Sequence, residues 1–206
     1  MSAKRTVYVV DDAENARRSL RVLLEATGYI VRDYSSAAEF LAEEDKSGDC
    51  VVADFRMPGM DGLELQQEIV ARGIGLPVII ITGSGDIPGA VKAIKAGAID
   101  FIEKPFRGEV LLDTLERAIE LGERDRQRAA EAGEANRRVS TLTPRERDVL
   151  AELALGRSNK SAARRLAISP RTVEVHRARI MKKLDAYSFT DLMRIAIAAS
   201  LLPPPA

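Results

Sequence analysis

The chain has 206 residues, of which 46% are apolar, 30% charged and 4% aromatic. This composition is typical of a globular protein with room for two domains, and it excludes a disordered chain. No apolar run approaches the roughly 20 residues that a membrane helix requires, and the N-terminus lacks the pattern of a signal peptide, so we expect a cytoplasmic protein with no membrane partner. The single cysteine, Cys50, excludes an internal disulfide and a thiolate metal site, and we expect it in the core.

The charge is unevenly distributed, although 31 basic and 31 acidic residues give the whole chain a net charge of zero. Residues 1–121 carry 14 Lys and Arg against 21 Asp and Glu, whereas residues 140–206 carry 12 against 6. An acidic first part suits the binding of cations, and a basic last part suits the approach to a polyanion such as DNA.

Five short apolar segments alternate with amphipathic segments over the first 120 residues. The apolar segments predict β-strands at Thr6–Val10, Ile30–Tyr34, Cys50–Asp54, 77–82 and Asp100–Glu103. The amphipathic segments predict helices at Glu14–Ala26, 36–44, 61–72, 87–96 and from residue 107 onward. This alternation predicts an α/β domain with a doubly wound five-stranded parallel sheet, which places its ligand outside the carboxyl ends of the strands.

The chain changes character after this first region. Residues 122–139 are charged and rich in alanine, which predicts a partly helical linker. Residues 140–202 show helical periodicity without strand signals, and Ser169-Pro170 combines a helix N-cap with a proline at the first helical position. We therefore predict an α/β domain at 4–121, a linker at 122–139, and an all-α domain of four helices with a helix-turn-helix at 140–202.

Polar side chains lie where several predicted strands end. Asp11 and Asp12 follow the first strand, Asp54 ends the third, Thr82 ends the fourth, and Lys104 follows the fifth. Because parallel strands end at one edge of the sheet, we expect these residues, including three carboxylates, to be neighbours. Carboxylates at such short range raise one another's pKa unless a cation neutralises them. Oxygen ligands without histidine or cysteine predict Mg²⁺ as that cation.

The motifs VVDD, DFRMPGMDG, ITGSGD and KPF occur in this order, and together they resemble the receiver domain of bacterial two-component response regulators. The resemblance covers about residues 4–121. It implies that Asp54 is the phospho-acceptor, a carboxylate nucleophile that takes a phosphoryl group from the histidine of a sensor kinase. It also implies that Mg²⁺ is held by Asp11, Asp12, Asp54 and the backbone carbonyl of Arg56.

The same resemblance assigns roles to three further residues. Thr82 would give its hydroxyl to one phosphoryl oxygen, and Lys104 would supply a cation to another. Phe101 occupies the position of an aromatic switch that turns inward when Thr82 moves, although a simple core aromatic is an equally good interpretation. The family also usually has a cis peptide at the position of Lys104-Pro105, which an X-Pro bond tolerates.

The segment SNKSAARRLAISPRTVEVHRARIMKKL resembles the output domain of LuxR- and FixJ-type regulators, within a match of about 60 residues. A helical wheel places Val173, His176, Ile180 and Leu184 on one face, so we expect all four to pack in the core. The opposite face is small, polar and basic, as a helix in the DNA major groove requires.

The exposed residues of this domain divide into two groups. Candidates for base readout are Arg171, Glu174 and Val175. Candidates for phosphate contact are Lys160, Arg177, Lys182 and Lys183. A basic helical face is ordinarily a solvated surface, but the capped helix-turn-helix and the positive charge of the segment favour DNA binding.

Together the two resemblances imply a FixJ-type response regulator, not an enzyme. Phosphorylation of Asp54 would switch dimerisation and sequence-specific DNA binding and so regulate transcription. The implied partners are a sensor histidine kinase, double-stranded DNA, a second copy of the chain and RNA polymerase. Two alternatives stay open: a phosphohydrolase that acts on acyl phosphates, and a phosphate sink with no DNA role. Rapid turnover of acetyl phosphate would favour the first, and loss of DNA binding would favour the second.

Overall fold

The computed structural model of the chain describes residues 4–83 and 100–201. The chain divides into two compact units between Arg126 and Gln127.

The first unit is built on a five-stranded parallel sheet, as predicted. Its strands lie in the order β2-β1-β3-β4-β5, so the chain starts in the interior of the sheet and fills it in both directions. The strands are β1 Thr6–Val10, β2 Ile30–Tyr34, β3 Cys50–Asp54, β4 Val78–Thr82 and β5 Asp100–Glu103. Residues of β1, β3 and β4 are almost all buried, because helices cover both faces of such a sheet.

The described helices of this unit are α1 Glu14–Ala26, α2 Ala37–Ala42, α3 Gly62–Ala71 and the first part of α4 Gly108–Ser140, which continues into the second unit. Ser36 caps α2, and Asp61 forms a capping box with Glu64 at the start of α3. Gly28 follows α1 with a φ of 95°, a left-handed conformation that only glycine adopts without strain. The helix predicted at 87–96 lies outside the described residues.

Alternate residues of β1 belong to two separate apolar clusters, one on each face of the sheet. Tyr8 and Val10 pack in the cluster that contains Phe40 and Leu65. Val7 and Val9 pack in the other cluster, which includes Cys50 and residues of α1 and α4. Cys50 is fully buried, as predicted.

Helix α4 is continuous over 33 residues, so the predicted linker is fully rather than partly helical. This part of α4 contains two glycines, a residue that disfavours helix, and they have different surroundings. Gly122 is buried, and a Cβ there would lie 2.9 Å from Cδ of Pro77, whereas nothing lies within 4 Å of a Cβ at Gly133. Arg126 donates to the carbonyl oxygen of Gly75 at 3.3 Å, so the first unit continues along α4 beyond residue 121. None of the described helices is long and apolar enough to span a membrane.

Four helices follow within the described part of the second unit: α5 Pro144–Ala154, α6 Asn159–Arg165, α7 Pro170–Lys183 and α8 Phe189–Ala198. Each begins at a Ser or Thr N-cap whose side chain accepts from the third backbone N–H, which explains their boundaries. Ala167, with a φ of 53°, makes the turn between α6 and α7. The core of this unit includes Val149, Leu150 and Ile180 together with Val139 from the end of α4.

Candidate functional site

The carboxyl ends of three strands bring Asp11, Asp54 and Lys104 together. The ammonium of Lys104 donates to Oδ1 of Asp54 at 2.6 Å and lies 3.2 Å from Oδ2 of Asp11. Asp11 is only 2% exposed, although it is a charged residue. One cation therefore bridges two carboxylates at the edge of the sheet where an α/β fold binds its ligand.

The pKa values of Asp11 and Lys104 are both raised, for different reasons. Burial raises the pKa of Asp11, and the backbone N–H of Ala13 and the charge of Lys104 only partly oppose this shift. Burial lowers the pKa of Lys104, but its hydrogen bond to Asp54 and the charge of Asp11 outweigh that effect and leave it above the ordinary value. Lys104 is thus a permanent cation at neutral pH.

Asp12 and Arg56 lie beside this cluster and are exposed. The backbone N–H of Arg56 donates to Oδ2 of Asp54 at 2.8 Å, so both oxygens of Asp54 accept a hydrogen bond. Within residues 4–83 and 100–201, no three Asp, Glu, His or Cys side chains are arranged to hold a metal ion. Two of the three predicted carboxylates, those of Asp11 and Asp54, share the charge of Lys104.

Thr82 and Phe101 occupy the neighbouring strands β4 and β5. Thr82 is 1% exposed, and its hydroxyl donates to the carbonyl oxygen of Gly83 at 3.2 Å. The partly buried ring of Phe101 lies 6.4 Å from that of Phe55 in an edge-to-face arrangement and packs against the core cluster of Tyr8. This position is compatible with both interpretations of Phe101. The peptide bond between Lys104 and Pro105 is cis, as expected.

Arg17, which no sequence motif singled out, holds the backbone of the loop that follows β1. Its Nη1 donates to the carbonyl oxygens of Asp11 and Asp12 at 2.7 and 3.0 Å, and its Nε lies 3.7 Å from Asp33. These contacts depend on the path of the loop after β1 and on β2 beside it. No motif in the sequence marks such a contact. Arg17 lies in an amphipathic helix, and its sequence context does not distinguish it from a solvent-exposed arginine of that helix.

Helix α7 of the second unit has the two faces that the helical wheel predicts. Val173 and Ile180 are fully buried, and Arg171, Glu174 and Val175 are exposed. The aliphatic side chain of Val175 is 45% exposed, so it is accessible to a partner.

His176 lies at the edge of the buried face of α7. Its ring is partly buried, and Nδ1 has no hydrogen-bond partner among the described residues. This placement agrees with the expectation of a packed histidine.

The four candidates for phosphate contact have different surroundings. Lys160 and Lys182 are exposed. The guanidinium of the partly buried Arg177 lies over the ring of Phe189 at 5.5 Å. The ammonium of Lys183, in contrast, lies 2.7 Å from Oε2 of the buried Glu146. Glu146 closes a capping box with Thr143 at the start of α5, and no sequence signal indicated its pairing with Lys183.

Two family comparisons match the two units. Residues 7–116 match the response regulator receiver domain, and residues 140–196 match the bacterial regulatory proteins of the luxR family. The chain therefore belongs to the two-component response regulators that join a receiver domain to a LuxR-type DNA-binding domain. It is a transcription regulator of the phosphorylation-dependent, FixJ-like class, as the sequence resemblance implied.

Individual relatives match over nearly the whole chain. The transcriptional regulatory protein FixJ of Bradyrhizobium diazoefficiens is 44% identical over 98% of this chain and 99% of its own length. FixJ of Rhizobium meliloti is 45% identical over 96% of this chain and 98% of its own length. Among solved structures, the response regulator StyR has a TM-score of 0.76 and 41% identity, over 95% of this chain and 99% of that chain. Full-length FixJ from B. japonicum has a TM-score of 0.58 and 43% identity, over 98% of this chain and all of that chain.

Proposed function

We propose that Asp54 accepts a phosphoryl group from a phosphohistidine of a sensor kinase, and that this step switches dimerisation and sequence-specific DNA binding. The observation that carries the proposal is the contact of Lys104 with Asp54 at 2.6 Å, beside the buried Asp11. A carboxylate nucleophile next to a fixed cation is suited to receive a group that carries negative charge.

In the transfer, an oxygen of Asp54 bonds to phosphorus while the bond from phosphorus to the histidine nitrogen breaks. The electron pair of that bond stays on the imidazole, and Asp54 becomes an acyl phosphate. Lys104 neutralises charge on the phosphoryl oxygens, and the hydroxyl of Thr82 can exchange its acceptor from Gly83 to one of these oxygens. The backbone N–H of Arg56 orients the carboxylate before the transfer.

The donor set at this edge of the sheet also suits Mg²⁺, since it consists of carboxylate and carbonyl oxygens. Asp11, Asp12, Asp54 and the carbonyl of Arg56 would hold the ion. When bound, it would offset negative charge on the phosphoryl group and the carboxylates. Arg17 would keep the backbone of Asp11 and Asp12 in place, because it holds both carbonyl oxygens.

In the second unit, α7 is the proposed reading helix. Arg171, Glu174 and Val175 would contact base edges, where Glu174 accepts from a cytosine amino group and Val175 meets a thymine methyl. Lys160, Arg177 and Lys182 would contact phosphates and fix the position of the unit on DNA. Lys183 is not included among these phosphate contacts, because its ammonium is paired with Glu146.

The proposed response couples the two activities. Movement of Thr82 toward the phosphoryl group would let the ring of Phe101 turn inward and change the surface around β5 and α4. That surface would pair two copies of the chain, and a two-fold dimer suits a two-fold DNA site. In this proposal the protein acts in the cytoplasm and recruits RNA polymerase to the DNA it binds.

The test of the phospho-acceptor is Asp54→Asn, with Asp113→Asn as the matched control at an exposed carboxylate of α4. We expect the Asp54 variant to incorporate no acid-labile phosphate from acetyl phosphate, because an amide of the same size does not attack phosphorus. The control should incorporate label as the unaltered chain does. Radiolabel on denatured protein, measured with circular dichroism of each variant, checks this. Full labelling of Asp54→Asn would contradict the assignment.

A further inference from the structure

The last turn of α7 is joined to the start of α5 by a lysine and a buried glutamate. Nζ of Lys183 donates to Oε2 of Glu146 at 2.7 Å, and it lies 3.4 Å from the carbonyl oxygen of Thr141. Glu146 is 3% exposed, so this ion pair is closed to water on the glutamate side. The end of the lysine side chain, which is 37% exposed, is thereby tied to a buried partner.

Glu146 also closes the capping box of α5. The same Oε2 accepts from the backbone N–H of Thr143 at 2.8 Å and from its hydroxyl at 3.0 Å. The pKa of Glu146 is lowered to about 2. The largest cause is the hydrogen bond from Lys183, and the second is the hydrogen bond from the backbone of Thr143. Glu146 is therefore charged at every physiological pH, and it ties three groups from two elements to one oxygen.

Lys182 provides the contrast, because it is the preceding residue on the same helix. Successive residues of an α-helix point about 100° apart, so the two side chains leave α7 in different directions. Lys182 is exposed and makes no ion pair within the part of the chain that the structure describes. Sequence alone groups both as basic residues of one surface, but the ammonium of Lys183 is paired with Glu146, whereas that of Lys182 has no such partner among the described residues.

We propose that Lys183 is a positioning residue of the DNA interface, which acts through Glu146 and makes no phosphate contact. The proposal rests on DNA binding by α7. Glu174 lies nine residues before Lys183, about 14 Å along the helix axis, so a small change of angle at the anchored end displaces the reading end. Arg138 supports the same end of α7 with a weaker contact, 3.4 Å from the carbonyl oxygen of Leu184.

The test compares Lys183→Met with Lys182→Met in the full-length chain. The probes are a duplex selected from random DNA with the unaltered chain and a random-sequence duplex of equal length, each titrated over a salt series. For Lys183→Met we expect roughly tenfold weaker binding to the selected duplex, less than about twofold to the random duplex, and an unchanged salt slope. For Lys182→Met we expect weaker binding to both duplexes and a slope smaller by about one unit.

Further variants separate positioning from stability alone. Glu146→Gln keeps the size and the acceptor of the capping box, so it should reproduce the loss of discrimination, and the double variant should lose no more than either single one. Lys183→Arg should restore most of the discrimination. Binding is measured well below each midpoint of thermal unfolding, with the active fraction titrated.

Three outcomes would overturn the proposal. A smaller salt slope with equal loss on both duplexes would make Lys183 a phosphate contact. Unchanged discrimination in both Lys183→Met and Glu146→Gln would make the pair a stability element only. If the unaltered chain enriches no duplex, DNA binding by α7 fails, and this inference fails with it.

Discussion

At the scale of single residues, both units depend on a lysine that neutralises buried acid. Lys104 bridges Asp11 and Asp54 in the first unit, and Lys183 pairs with Glu146 in the second. The consequences for pKa are opposite. Burial dominates at Asp11 and raises its pKa, whereas the hydrogen bond from Lys183 dominates at Glu146 and lowers its pKa to about 2. Asp11 is thus poised to gain from a further cation, while Glu146 already has the partner it requires.

Glu146 predicts a specific acid response. Its folded pKa of about 2 lies below the ordinary 4.5, so its contribution to stability is present above about pH 4.5 and is lost as the pH falls toward 2. Glu146→Gln should therefore lower the free energy of unfolding by roughly 1–2 kcal/mol at pH 6 and by much less at pH 3. Urea unfolding of the unaltered chain and the variant at these two pH values, monitored by circular dichroism, measures the change in the free energy of unfolding. An equal loss at both values would show that the charge of Glu146 does not contribute.

At the scale of elements, the sequence predicts the strands well and the long helix poorly. The bounds of β1, β2, β3 and β5 agree with the apolar segments, because a strand buried on both faces has a strong local signal. The continuity of α4 is not visible in the sequence, since Gly122 and Gly133 lower helix propensity. Gly122 lies so close to Pro77 that a larger side chain would collide with it. This is a tertiary contact, so no local sequence pattern explains why a glycine stands there.

These two glycines give a matched pair of substitutions. Gly133→Ala should raise the free energy of unfolding by about 0.5–1 kcal/mol, because alanine favours the helix and its Cβ meets nothing within 4 Å. Gly122→Ala makes the same chemical change but places its Cβ 2.9 Å from Cδ of Pro77, so it should stabilise nothing and lower the midpoint of unfolding. Denaturant titrations of both variants decide this. Equal stabilisation at the two positions would contradict this, because it would show that Pro77 moves aside for the new Cβ without loss of stability.

At the scale of the whole molecule, the distribution of charge along the chain matches the distribution of the two candidate sites. The acidic part of the chain contains the carboxylate site, and the basic part contains the exposed face of α7. The strand ends predicted that Asp11, Asp54 and Lys104 are neighbours, and the helical wheel predicted which face of α7 is exposed. The partners of Lys183 and Arg17 could not be predicted in this way, because they depend on how separate elements pack. A basic residue in sequence does not show whether its charge is already paired.

The central claim is that phosphorylation of Asp54 controls DNA binding by the second unit. The most direct measurement is the affinity for the selected duplex with and without acetyl phosphate and Mg²⁺, for the unaltered chain and for Asp54→Asn. We expect the phosphate donor to strengthen binding by the unaltered chain roughly tenfold, a coupling of ordinary size, and to leave the variant unchanged. An equal response from Asp54→Asn, or no response from a fully phosphorylated unaltered chain, would contradict the account.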